Sequence, residues 1–204
     1  DEIIRTARSA TVNTAIATSL TPTGLTMNAA INPNGFTTSA WFEWGTTTAY
    51  GNTTAERLVG SANNSQSFSE TLTALTPATQ YHYRIVARGY GNIIIAGLDQ
   101  MATTQPVPPP TVITLNPSLV TVDRCAFNGT VNPNGFDTDA WFEWGDTTSY
   151  GTSTGSIPLG AGSINVPLSA VISGLTPDTS YHYRLVAQNA GDLVYGSDAV
   201  CTTS

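Results

Sequence analysis

The chain has 204 residues and a formal net charge of −7; only 10% of its residues are charged, and its seven bases are all Arg, with no Lys. A few scattered Arg on an acidic chain cannot form the clustered basic face that neutralises a phosphate backbone, so no nucleic-acid partner is expected. No run reaches the roughly 18 to 20 apolar residues of a membrane helix, so no membrane insertion is expected, and the absence of Lys excludes Lys-to-Asn isopeptide cross-links.

The sequence opens at Asp1 without a Met, a charged n-region or an apolar h-region, as a secreted chain does once its signal is removed. Residues 1–10 form an N-terminal arm outside the repeated pattern described below. Within it, Glu2-Ile3-Ile4-Arg5-Thr6-Ala7-Arg8 is expected to act as an assembly arm, an extended strand able to pair with an open sheet edge of a neighbouring copy.

Residues 11–104 read as a first domain built from strands. Leu25, Met27, Ala29 and Ile31 keep alternate positions apolar up to Asn32-Pro33-Asn34-Gly35, where Pro33 is expected to preset a turn and Gly35 to take a positive φ. In Ala40-Trp41-Phe42-Glu43-Trp44-Gly45, period-two alternation puts Phe42 and Trp44 on one face and Trp41 and Glu43 on the other. Further on, Tyr81, Tyr83, Ile85 and Ala87 share a face, with His82, Arg84 and Val86 on its reverse. No segment of helical length shows a 3.6-residue period. Residues 105–110, Gln-Pro-Val-Pro-Pro-Pro, read as a short, semi-rigid polyproline II linker.

Residues 111–204 write the same unit again. Asn-Pro-Asn-Gly-Phe returns at 132–136, Ala-Trp-Phe-Glu-Trp-Gly at 140–145 and Tyr-His-Tyr-Arg at 181–184, with the offset falling from 100 to 99 after Gly91. A period near 100 is too long for a solenoid repeat and suits a self-contained sandwich domain. The expected fold class is all-β: two tandem antiparallel immunoglobulin-like sandwiches.

Leu75-Thr76-Pro77-Ala78-Thr79-Gln80-Tyr81 and its copy at 175–181 resemble the Leu-x-Pro-x-Thr-x-Tyr signature before the sixth strand of fibronectin type III domains. Phe42–Gly45 is similar to that family's third strand, and the Asn-Pro-Asn-Gly and Tyr-His-Tyr-Arg blocks resemble members found in multi-repeat bacterial and archaeal cell-surface proteins. The resemblance covers residues 11 to 204. It implies a sandwich whose signature Tyr forms a corner through its hydroxyl, and it says much less about function, because this sandwich hosts many roles; the extracellular, non-enzymatic role without a cofactor is expected from the other features of the chain. The family's core Trp on the second strand is absent, with Leu25 or Met27 and Cys125 or Phe127 there instead, and no Arg-Gly-Asp stands between the last two strands.

The family topology places Glu43, His82 and Arg84 together on an outer sheet face, as it does Glu143, His182 and Arg184. A carboxylate beside a His is an acid/base pair in principle. With no Ser or Cys nucleophile recurring beside it, the expected role is structural: a cross-strand cluster in which Trp41 and Trp141 join and Arg84 stacks on Trp41. No metal site is expected, since Asp137, Asp139 and Asp146 match no calcium-loop spacing. The same topology brings the second strand's start and the last strand's end to one pole, implying a Cys125–Cys201 disulfide. Strand alternation allows another outcome, with Val200 inward and both thiols free. Asn52, Asn63 and Asn128 head sequons that glycans can occupy on a secreted chain.

Three roles fit these features: a filament subunit joined to other copies by its N-terminal strand, a monomeric spacer module among other surface-protein domains, or an accessory carbohydrate-binding module of a secreted glycosidase that meets glycans through Trp41 and Trp141.

Overall fold

The computed structural model describes residues 9–204, and the assembly arm Glu2–Arg8 lies outside them. The chain divides between Pro106 and Val107 into two units. In the first, the strands are β1 Thr11–Thr21, β2 Gly24–Asn32, β3 Thr38–Gly45, β4 Asn52–Thr53, β5 Arg57–Gly60, β6 Gln66–Leu72, β7 Gln80–Arg88, β8 Ile94–Ala96 and β9 Gln100–Thr103. The second repeats them as β10 Thr111–Ser118, β11 Arg124–Asn132, β12 Thr138–Gly145, β13 Thr152–Ser153, β14 Ile157–Gly160, β15 Val166–Ser173, β16 Ser180–Gln188, β17 Leu193–Tyr195 and β18 Ala199–Thr202.

Each unit is an antiparallel β-sandwich. A three-stranded sheet, β1-β2-β6, faces a larger one in which β3 and β7 are central, β4 and β5 flank β3, and β8 and β9 flank β7; the second unit has the same order. The alternation in the sequence decides which faces meet. Leu25, Met27, Ala29 and Ile31 of β2 are buried with Phe68 and Leu72 of β6, opposite Phe42 of β3 and Tyr81, Tyr83 and Ile85 of β7. In the second unit Phe127 fills this centre and stacks on Tyr183 at 4.1 Å between ring centroids.

The repeated motifs acquire individual reasons. Tyr81 and Tyr181 accept the backbone N–H groups of Thr76 and Thr176 at 3.0 Å, which is the corner implied by the signature. At Asn-Pro-Asn-Gly the left-handed pair is Asn34 (φ 52) and Gly35 (φ 83), closed by the Phe36 N–H to Pro33 carbonyl bond. Pro33 is therefore the first residue of a turn of the I′ kind and does not preset its centre. Gly45 cannot be replaced by a larger residue, because a Cβ there would sit 1.5 Å from the Tyr50 carbonyl oxygen.

Residues 105–110 are tied into the units. Gln105 donates its N–H to Thr21 and accepts one from Ala78 through its carbonyl. Pro108 and Pro109 carbonyls accept the side-chain amides of Asn189 and Asn134.

Cys125 and Cys201 form a disulfide with a Cα–Cα distance of 6.6 Å, and both are fully buried. The free-thiol alternative fails on the register of β18: Cys201 pairs with inward Tyr181, while Val200 pairs with outward His182 and is 44% exposed.

Candidate functional site

The chemistry-bearing side chains gather on the outer face of each larger sheet. Glu43 lies directly opposite Arg84 in the β3–β7 register, and Arg84 donates to the carboxylate from Nε at 2.8 Å and Nη2 at 2.7 Å. Glu143 and Arg184 repeat this at the same distances. The guanidinium also covers an aromatic ring, Tyr50 at 4.7 Å in the first unit and Tyr150 at 4.5 Å in the second. Trp41 is instead covered by Arg88, at 5.5 Å. The expected Arg84–Trp41 stacking is thus replaced, because Glu43 straight across the ladder draws Arg84 toward β4 and the Tyr50 turn.

His82 does not join Glu43. Its neighbours in register are Gly45 and Met101, neither of which can accept a proton. Asp99, in the break between β8 and β9, reaches it at 2.8 Å from Nδ1 and also accepts the Tyr50 hydroxyl at 3.1 Å. A carboxylate can only accept, so Nδ1 carries the proton. His182, Asp198 and Tyr150 repeat the arrangement with identical distances. Burial, and then the bond to the neighbouring Asp, raise the Tyr50 and Tyr150 phenols above their ordinary value.

Each unit therefore carries one connected network, Glu43–Arg84–Tyr50–Asp99–His82 and its copy. Alignment of the copies shows that Glu43, Arg84 and Asp99 are the charges of the first unit that recur at matching positions in the second. All three belong to the network. The Asp–His element has the form of an acid/base pair, yet among the described residues no Ser, Thr or Cys side chain hydrogen-bonds to either His. The adjoining clefts, lined by Tyr50, Gly51 and Thr53 or Tyr150, Gly151 and Ser153, are shallow. No group of three His, Cys, Asp or Glu residues able to hold a metal ion occurs among the described residues.

Sequence reasoning reached Glu43, His82 and Arg84 but missed Tyr50 and Asp99. The signal for both was present: Tyr50-Gly51 recurs as Tyr150-Gly151, and the 99-residue offset aligns Asp99 with Asp198. The sequon residues fall in different settings. Asn52 and Asn63 are exposed. The Asn128 amide donates to the Asn116 carbonyl and Ser118 hydroxyl at 3.0 Å, bracing the irregular stretch of β10 between Leu115 and Ser118, and Asn28 does the same for β1.

No protein-family model and no curated protein matches the chain. Among solved structures, the sensor domain of the anti-sigma factor RsgI4 from Pseudobacteroides cellulosolvens is similar in a short form (19% identity, 48% of this chain and 96% of that one, TM-score 0.39) and in a long form (15%, 48% and 90%, 0.33). The FN1-FN3 domains of chicken CNTN1 are similar at 14% identity over 95% of this chain and 66% of that one, with a TM-score of 0.36. Both units are antiparallel β-sandwiches, a three-stranded sheet facing a larger one. That statement concerns fold alone, since this architecture hosts many unrelated roles.

Proposed function

We propose that the chain is a non-catalytic, extracytoplasmic structural protein whose sandwiches join further copies by strand addition through Glu2–Arg8. The observation that carries this reading is the network: the charges shared by the two units are paired with one another on an open sheet face, and among the described residues no Ser, Thr or Cys nucleophile hydrogen-bonds to either His, an arrangement that stabilises a fold. The buried Cys125–Cys201 bridge supports an oxidising compartment. Size-exclusion chromatography over a concentration series, with electron microscopy of the same samples, tests assembly. Concentration-dependent oligomers or fibres are expected. A monomer at every concentration overturns assembly and favours the spacer role.

One observation favours a second reading, contact with glycans at the second unit. There Gln188 replaces the Arg88 that covers Trp41, and Tyr195, 47% exposed, stands across Val186 from Trp141. The Trp141 indole, edged by Asp139 and Gln188, offers an apolar face beside polar groups, as a pyranose ring requires, whereas the Tyr195 ring beside it is covered on one face by Arg184 at 3.9 Å. Glycan-array binding that is lost in Trp141→Ala and kept in Trp41→Ala would support this reading.

A further inference from the structure

The two units differ at the outer edge of the three-stranded sheet. In the first, Arg57 of β5 donates to the Ser69 carbonyl at 2.6 Å, pairs with Glu70 at 2.7 Å and lies over the Phe68 ring at 4.6 Å. Ser69 thus turns its backbone groups away from β2, and alternate residues of β6 share that direction. An arginine bound to an edge carbonyl blocks the addition of another strand. In the second unit the matching residues are Ile157, Leu168 and Ala170, and β15 carries no charge along its 8 residues. Among the described residues no side chain takes Arg57's place over Ser169. By the same alternation Ser169 and Val171 present N–H and C=O groups outward. Pro167, which has no N–H to offer, also falls on this open side, where a proline is tolerated.

Charge distinguishes the units as well. Residues 9–106 hold four acidic residues against three Arg, net −1, whereas residues 107–204 hold eight against two, net −6. Residues 1–8 balance Asp1 and Glu2 with Arg5 and Arg8. The segment Glu2–Arg8 holds two Arg against one Glu, net +1, which favours the acidic unit.

We infer that the open edge of β15 is the acceptor for Glu2–Arg8 of a second copy, which adds to the β10-β11-β15 sheet as an extra strand. This rests on the assembly reading above and names its acceptor. The bonds are backbone to backbone around Ser169 and Val171, so the contact selects an extended strand and excludes the first unit, whose edge Arg57 closes.

The test recreates that closure. In Ile157→Arg/Ala170→Glu, which places the first unit's Arg57 and Glu70 pair in the second, the concentration needed for assembly of the full chain is expected to rise at least tenfold while the second unit keeps a cooperative unfolding transition. A chain lacking residues 1–8 is expected to bind a synthetic peptide of residues 1–10 at one site, to lose that binding at least tenfold in the same double variant, and to gain a second site in Arg57→Ala. Assembly that the double variant leaves intact overturns the acceptor while the structural reading stands. Peptide binding at the β15 edge in a chain that stays monomeric at full length overturns filament assembly while the acceptor stands. Absence of both assembly and peptide binding overturns both.

Discussion

Where the first unit places Leu25 and Ala102 in and against its core, the second places Cys125 and Cys201 and joins them; where the first covers a sheet edge with Arg57 and an indole with Arg88, the second has Ile157 and Gln188. Phe42, Trp44, Tyr83, the corner tyrosines and the charged network recur in both units, whereas Met27 and Phe68 of the first core are exchanged for Phe127 and Leu168 in the second. The copies therefore keep the aromatics of the two central strands and the charged network, exchange apolar residues for other apolar residues elsewhere in the core, and differ in chemical character at poles, edges and outer faces. Such a division is expected when each unit must fold by itself but only one must present a particular surface.

Perturbations that act on one unit alone break this comparison most sharply. Cys125→Ala/Cys201→Ala opens a loop spanning 76 positions and is expected to cost the second unit about 4 kcal/mol, while the first unit's unfolding transition stays in place. Calorimetry with and without the substitutions checks this. A shift of both transitions would mean that the units do not unfold separately. Phe42→Ala and Phe142→Ala remove fully buried rings, and each is expected to cost about 3 to 5 kcal/mol in its own unit. Denaturant titration reads both.

Smaller effects test what the units share. Tyr81→Phe and Tyr181→Phe each leave a backbone N–H without its acceptor and are expected to cost about 1 to 2 kcal/mol equally in the two units. Burial pushes the Tyr83 and Tyr183 phenols up to about 12, from about 10 in an unfolded chain. Because the folded value is the higher one, the stabilisation is complete below about pH 10 and is lost as pH rises toward 12. Stability measured across that window should fall in both units, and Tyr83→Phe/Tyr183→Phe should flatten the fall. The smallest difference concerns Arg184, which lies over Tyr195 at 3.9 Å as well as Tyr150, where Arg84 covers Tyr50. Arg184→Met should therefore cost about 0.5 kcal/mol more than Arg84→Met, and the excess should be absent in Tyr195→Ala.

Much of the fold was legible because strand alternation and tandem repetition are linear signals. The inward faces of β2, β3 and β7 and the doubled unit follow from spacing along the chain, and the corner at Tyr81 is implied by the resemblance of residues 75–81 to a family signature. The candidate site was half legible. Glu43 and Arg84 are partners because two predicted strands lie side by side, whereas Asp99 comes from a break between two short strands whose path no periodicity records. Val200 and Cys201 show the same limit: the sequence fixes that they face opposite ways, but which one faces inward depends on the register with β16.

By itself, the sequence determined that this protein is two similar all-β units with aromatic cores, since a period-two pattern can bury one face only by folding a sheet against another. Tertiary structure alone decided which carboxylate meets His82, which cysteine face is buried and which sheet edge is left open. Those outcomes depend on side-to-side register between strands far apart in the chain, and register is set by the packed sandwich as a whole.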